Sequence, residues 1–113
     1  MPNFSRGEVV LVRYPFSDLS GTKVRPAIVI SPDYPSVDLL IVPLTSRVLT
    51  LRPGEFVLEN WRAAGLHVPS AAKRGLATVH ENLVVQTVGT ATPEDMAKLG
   101  SSLGVWVGIA NNR

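Results

Sequence analysis

The chain has 113 residues, 45% of them hydrophobic, which suits one domain with its own core and excludes wholesale disorder. It has no cysteine, which excludes disulfides, thiolate metal sites and a cysteine nucleophile and fits a reducing compartment. Eleven Lys and Arg against nine Asp and Glu leave a net charge of +2, too small to name a partner by itself.

The opening MPNFSRGE lacks the apolar run of a signal peptide, and no later run reaches membrane-spanning length, so a cytoplasmic protein is expected. Val9-Val10-Leu11-Val12 is a first strand, ended by Pro15 and the Ser-Asp-Leu-Ser-Gly loop. Residues 27–31 form a second strand, reached through Arg25-Pro26 and closed by Ser31-Pro32-Asp33. Asp38 to Val42 form a third, ending at Pro43, and Glu55 to Leu58 a short fourth after the Arg52-Pro53-Gly54 turn. Residues 59–64 suit one or two helical turns, stopped by Gly65. Ala77 to His80 and Leu83 to Thr87 are two further strands, with a tight turn expected at Glu81-Asn82 and an interruption at Gly89.

Only one long helix follows. Thr92 can cap it, Pro93 needs no donor at its first position, and Glu94 and Asp95 suit its positive end. Met96, Leu99, Leu103 and Trp106 or Val107 fall on one face, while Gly100 and Gly104 weaken the far end. Six short strands and one helix predict a mainly β domain spanning 1–113, a strongly curved sheet or partial barrel with the helix packed on it.

No metal constellation or phosphate-binding glycine run is present. The two histidines, His67 and His80, lack the spacing of a zinc site, and no metal or cofactor is expected. Nine of the cations, from Arg6 to Arg74, precede residue 75, where one face could gather several or leave them scattered in solvent. Arg25, where a loop meets a strand, and Thr45-Ser46, beyond another strand, are polar groups that a rigid frame can aim into a groove. A guanidinium suits a phosphate because it is permanently charged and offers a planar fork of donors. Residue spacing alone equally allows Arg25 to pair with an acid such as Asp18 and Thr45 to satisfy a turn. Trp61 and Trp106 could stack on bases, although Trp106 falls on the apolar helix face and suits packing.

The ordered set Gly7-Glu8-Val9, Tyr14-Pro15-Phe16, Ser17 to Gly21, Arg25-Pro26 and Pro43-Leu44-Thr45-Ser46 resembles the MazF/PemK toxins, the mRNA interferases of toxin–antitoxin pairs. Ala64-Gly65-Leu66, Pro69-Ser70, Leu76-Ala77-Thr78, Gly89 and the helix start Thr92-Pro93-Glu94 extend the likeness over nearly the whole chain. The resemblance implies an SH3-like barrel with a C-terminal helix, acting as a homodimer that cuts single-stranded RNA without a metal. It also implies an antitoxin protein whose disordered tail fills the RNA groove. By the same likeness the catalytic arginine and threonine fall on Arg25 and Thr45, Ser46 helps hold the phosphate, and Ser17 and Lys23 of the loop 16–24 contact substrate.

One position departs from that pattern. Several relatives carry an acid four residues before the threonine matching Thr78, where this chain has Arg74 preceded by Lys73. The basic pair could strengthen binding to an RNA backbone, or mark a fold that grips RNA or an antitoxin peptide without cutting. His80 could supply a base, since imidazole as a side-chain type titrates near neutrality, or could simply end a strand. Trp106-Val107-Gly108-Ile109 faintly resembles the tail of a related family of gyrase poisons, which leaves a third reading.

Overall fold

The computed structural model describes residues 4–14, 23–32 and 36–109. Seven strands and one helix follow in order: β1 (Glu8–Tyr14), β2 (Lys23–Val29), β3 (Asp38–Thr45), β4 (Phe56–Val57), β5 (Ala71–Ala72), β6 (Ala77–His80), β7 (Val84–Thr90) and α1 (Pro93–Trp106). All pairings are antiparallel, in the order β4-β5-β3-β2-β1-β7, with β6 also on β3. The expected mainly β architecture with a closing helix is what the chain adopts.

The curvature follows from one short connection. Five strands run β6-β3-β2-β1-β7, and the two edge strands are joined by a single 3₁₀ turn, Glu81–Leu83. In a flat sheet those edges would lie about 19 Å apart. The chain from His80 to Val84 spans at most roughly 14 Å even when fully extended. The sheet must therefore curl until its edges approach, which makes a small barrel. Glu81-Asn82 is thus not the tip of a hairpin: β6 pairs with β3, β7 with β1, and the turn crosses between them.

Continuous apolar runs are what strands covered on both faces require. Val10, Val12, Ala27, Val29, Leu39, Ile41 and Val79 point into the barrel. Val9, Ile28, Val42 and Leu44 point outward against Leu99, with Met96, Leu103 and Trp106 packed around them, so α1 covers the second face. Trp106, not Val107, completes the helical stripe; Val107 is half-exposed. Despite Gly100 and Gly104, the helix runs to Trp106.

Strands β1, β2, β3 and β7 run further than the apolar residues suggest. Register, not hydrophobicity, extends them. β1 and β2 pair from Val9↔Ile28 to Tyr14↔Lys23, which carries Lys23, Val24, Arg25 and Pro26 into the strand. Pro26 is tolerated because β3 joins β2 only from Ala27 onward. Pro43 lies inside β3 because its carbonyl accepts from Lys73 N, so its missing N–H faces the gap between the β6 and β5 pairings. β7 continues through Gly89 with register shifts against β1. The two alanines of β5 were too short a run to register as a strand.

Residues 59–64 make a single hydrogen-bonded turn, Ala64 N to Asn60 O at 3.1 Å, ended by Gly65 at φ +91°. A side chain at Gly65 would also collide with the carbonyl of Val88. Thr92 caps α1 by accepting from Asp95 N at 3.3 Å. Asp95 does more than complement the helix dipole. Its carboxylate is buried and accepts from Glu59 N at 2.9 Å and Asn60 N at 3.0 Å, which ties the turn to the helix start. Replacing it by alanine removes the acceptor from two backbone donors. Asp95→Ala is expected to lower stability by about 3 kcal/mol in urea unfolding. A loss under about 1 kcal/mol would show that water serves those amides instead.

Candidate active site

Strand alternation decides where Arg25 points. On β2, Lys23 and Arg25 continue the inward row of Ala27 and Val29, past the end of the barrel core. On β3, Thr45 continues the row of Leu39, Ile41 and Pro43. The last β2–β3 pair is Ala27↔Pro43, and Arg25 and Thr45 stand two residues beyond it on their respective strands. From Leu44 onward β3 pairs with β5 on its other side, Thr45 opposite Ala71. The two strands thus part in a notch at the barrel mouth, with an exposed guanidinium on one lip and a half-buried hydroxyl on the other. Arg25 is a residue of the strand itself, third in β2, not the last residue of the loop before it.

Thr45 Oγ1 accepts from Arg47 N at 3.1 Å, so the hydroxyl does satisfy a turn. That bond uses one lone pair and leaves the hydroxyl proton available to donate. Ser46, next to it, is exposed. Turn and binding roles are therefore compatible at Thr45, where residue spacing set them against each other.

The Lys73–Leu76 segment closes the third side of the notch. Lys73 N donates to Pro43 O at 2.9 Å, and a Cβ at Gly75 would sit 3.4 Å from Pro43 Cγ. Pro43 is the common neighbour: Ala27 opposite it leads to Arg25, Thr45 lies two residues on, and Lys73 and Gly75 touch it. Arg13, Lys23, Arg25, Arg47, Lys73 and Arg74 all lie toward this end of the sheet, so the cations are gathered rather than scattered. Arg6 is not among them; its Nη1 donates to Ile30 O at 2.6 Å at the other end.

Glu55 is the residue that sequence reading missed. Its two carboxylate oxygens accept from Arg52 N at 2.7 Å and from Arg74 N at 2.8 Å. A carboxylate therefore does stand beside position 74, brought there from a turn nineteen residues earlier. The turn at 52–55 was legible from Arg52-Pro53-Gly54, but nothing local marks its contact with Arg74.

His80 is not part of this constellation. It pairs with Asp38 at the start of β3, roughly 23 Å along the strand from Thr45. Its Nδ1 accepts from Asn82 N at 3.0 Å and caps the 3₁₀ turn. The expectation that it supplies a base at the phosphate is overturned by this separation. Ser17 and the loop around it, through residue 22, lie outside the described residues; Lys23 and Val24 belong to β2. Trp106 packs on the core and donates from Nε1 to Pro53 O at 3.2 Å, and Arg62 lies 4.9 Å from the centroid of the Trp61 ring. Among the described residues, no three His, Asp or Glu side chains gather in a way that could hold a metal ion.

Residues 5–107 match the profile of a family described as PemK-like, MazF-like toxin of type II toxin–antitoxin system. No curated protein sequence matches the chain. Among solved structures it is similar to an endoribonuclease from a mycobacterial species (19% identity, 98% of this chain and 97% of that one, TM-score 0.75). It is also similar to a mycobacterial endoribonuclease in complex with its cognate antitoxin (18%, 98% and 99%, TM-score 0.70). A third likeness is to a chain of the MazE–MazF complex, Form-II, of Deinococcus radiodurans (17%, 97% and 100%, TM-score 0.76). These likenesses show a shared fold.

Glu55 can be tested as the fastener of the third side. Glu55→Ala is expected to raise the amide hydrogen exchange of Arg52 and Arg74 by about tenfold or more. The amides inside β1 and β2 should keep their protection. Unchanged exchange at Arg52 and Arg74 would show that the carboxylate does not hold them.

Proposed function

The chain belongs to the family of PemK-like, MazF-like toxins of type II toxin–antitoxin systems, and from that premise we propose that it is a sequence-specific, metal-independent endoribonuclease of single-stranded RNA. The observation that carries this reading is the notch, with Arg25 and Thr45 beyond the last β2–β3 pair on the same inward row. A phosphodiester laid across it meets a planar cation from one strand and a hydroxyl from the other.

In the proposed reaction the RNA 2′-oxygen attacks the adjacent phosphorus. A bond forms from O2′ to phosphorus, the bond from phosphorus to O5′ breaks, and the 5′-oxygen leaves with a proton. The products are a 2′,3′-cyclic phosphate and a 5′-hydroxyl. Charge on the non-bridging oxygens rises in the transition state, and the Arg25 guanidinium is placed to stabilise it and to protonate the leaving oxygen. Thr45 and Ser46 orient the phosphate. Lys23, Lys73 and Arg74 bind flanking phosphates without reading bases, and Ser17 is assigned to substrate by resemblance. His80 is left out because of its distance, and no other residue is assigned as base.

We further assign to the protein a cognate antitoxin as inhibitor, since one structural relative is solved with its own. A homodimer and a cytoplasmic place of action complete the reading by family likeness. Among the described residues, no helix is long and apolar enough to cross a membrane.

Purified protein incubated with mixed-sequence RNA in EDTA is expected to yield discrete fragments ending in cyclic phosphate. Arg25→Ala should slow their formation by about 10²-fold to 10³-fold. His80→Ala should leave the rate nearly unchanged, whereas loss of a general base would cost about 10²-fold or more. Neutralising Lys73 and Arg74 should weaken RNA binding for all sequences alike and flatten its salt dependence by about 0.7 per lost phosphate contact. RNA that is bound but left intact by the wild-type protein would select the binding-module reading, which Arg74 in place of an acid favours.

A further inference from the structure

Beside the notch lies a groove of about 380 Å³ that catalysis does not use. Leu76, Leu103, Trp106 and Val107 line its apolar part, and Arg52 and Arg74 stand at its rim. Leu76 is 44% exposed and Val107 50%, so both present aliphatic surface to solvent. Among the described residues, neither guanidinium is held in an ion pair. Glu55 meets the two arginines through their backbone amides, which fixes both backbones and leaves their side-chain forks to a ligand.

The groove is built before anything enters it. Ser102 Oγ donates to Gly54 O at 2.7 Å, and Trp106 Nε1 donates to Pro53 O at 3.2 Å, so the last turns of α1 hold the 52–55 turn in place. Gly54, at φ +84°, is required there twice over, because a side chain would collide with the Trp106 indole. Preorganised walls lower the entropy lost on binding.

We propose that this groove anchors an acidic segment of the antitoxin, an aliphatic side chain seated on Leu103 and Trp106 and a carboxylate held by Arg52 and Arg74. This rests on the reading that an antitoxin is the partner. Charge complementarity selects an acidic occupant, since two guanidinium groups face one carboxylate already engaged by backbone. The walls select peptide over RNA. They are mostly aliphatic, and the indole N–H that could read a base edge already donates to Pro53. The same Arg74–Leu76 segment borders the notch through Gly75 and Pro43, so a peptide anchored in the groove leads directly to Arg25 and Thr45.

The probe is the peptide acetyl-Glu-Leu-Asp-Leu-Glu-amide, titrated into ¹⁵N-labelled full-length protein while the two indole N–H signals are followed. The Trp106 signal is expected to shift saturably and the Trp61 signal to stay. Arg52→Glu and Val107→Asp, each at an exposed position, should each weaken binding by about tenfold or more while the protein keeps its melting temperature. A peptide with serine for leucine should bind as weakly as these variants. Four results would overturn the proposal: no saturable shift of Trp106, equal binding of the serine peptide, an equal shift with a single-stranded RNA oligonucleotide, or a shift with protein concentration alone that blocks the peptide. The last would mean a second copy covers the groove. RNA cleavage is measured on the same samples. Cleavage without peptide binding defeats the groove, and peptide binding without cleavage defeats the nuclease reading.

Discussion

The rest of the molecule depends on the short crossing from β6 to β7. Three residues, Glu81–Leu83, join strands that stand at opposite edges of a five-stranded sheet. The sheet curls to satisfy that length, and the curl converts one face of β1, β2, β3 and β6 into an enclosed apolar interior. A barrel so small has room for one layer of side chains. Rows that continue past that layer must emerge at the mouth, and this is what puts a lysine, an arginine and a threonine there as extensions of core rows. The polar site is the end of the hydrophobic core, not an addition to it.

The helix supplies the second constraint. With the barrel interior filled by strand residues, the outward face of β1, β2 and β3 still needs cover, and α1 provides it through Met96, Leu99, Leu103 and Trp106. The buried Asp95 carboxylate fastens the start of the helix to residues 59 and 60. Its far end holds the 52–55 turn, which through Glu55 holds Arg74. An element that never reaches the notch thus determines the position of one of its sides.

Local chemistry was legible in the sequence wherever it was self-contained. The Thr92-Pro93 helix start, the apolar stripe that follows it, the β6 strand and the stop at Gly65 all rest on residues within a turn of each other. Strand ends were not legible, because register decides them. Arg25 looks like a loop residue until β1 is seen to pair as far as Lys23, and Pro43 looks like a terminator until its missing donor is found to face a gap. The site was partly legible, as Arg25 and Thr45 belong to a recognisable ordered pattern. Their placement across a parting of strands was not, and neither was Glu55, since its contact with Arg74 joins two loops by tertiary packing alone.

That contact bears on the basic residue at position 74. A carboxylate at 74 would stand next to the Glu55 carboxylate, whose two oxygens already receive the amides of residues 52 and 74. Two acids so placed repel, and one would be driven to bind a proton or swing away. An arginine at 74 removes the conflict and adds a cation to the rim. Glu55 and Arg74 are thus one choice rather than two: the acid sits on the turn, fixed by backbone donors, and the charge beside the notch is positive. A change at either position is felt at the other, and through Gly75 and Pro43 at the lip that carries Thr45.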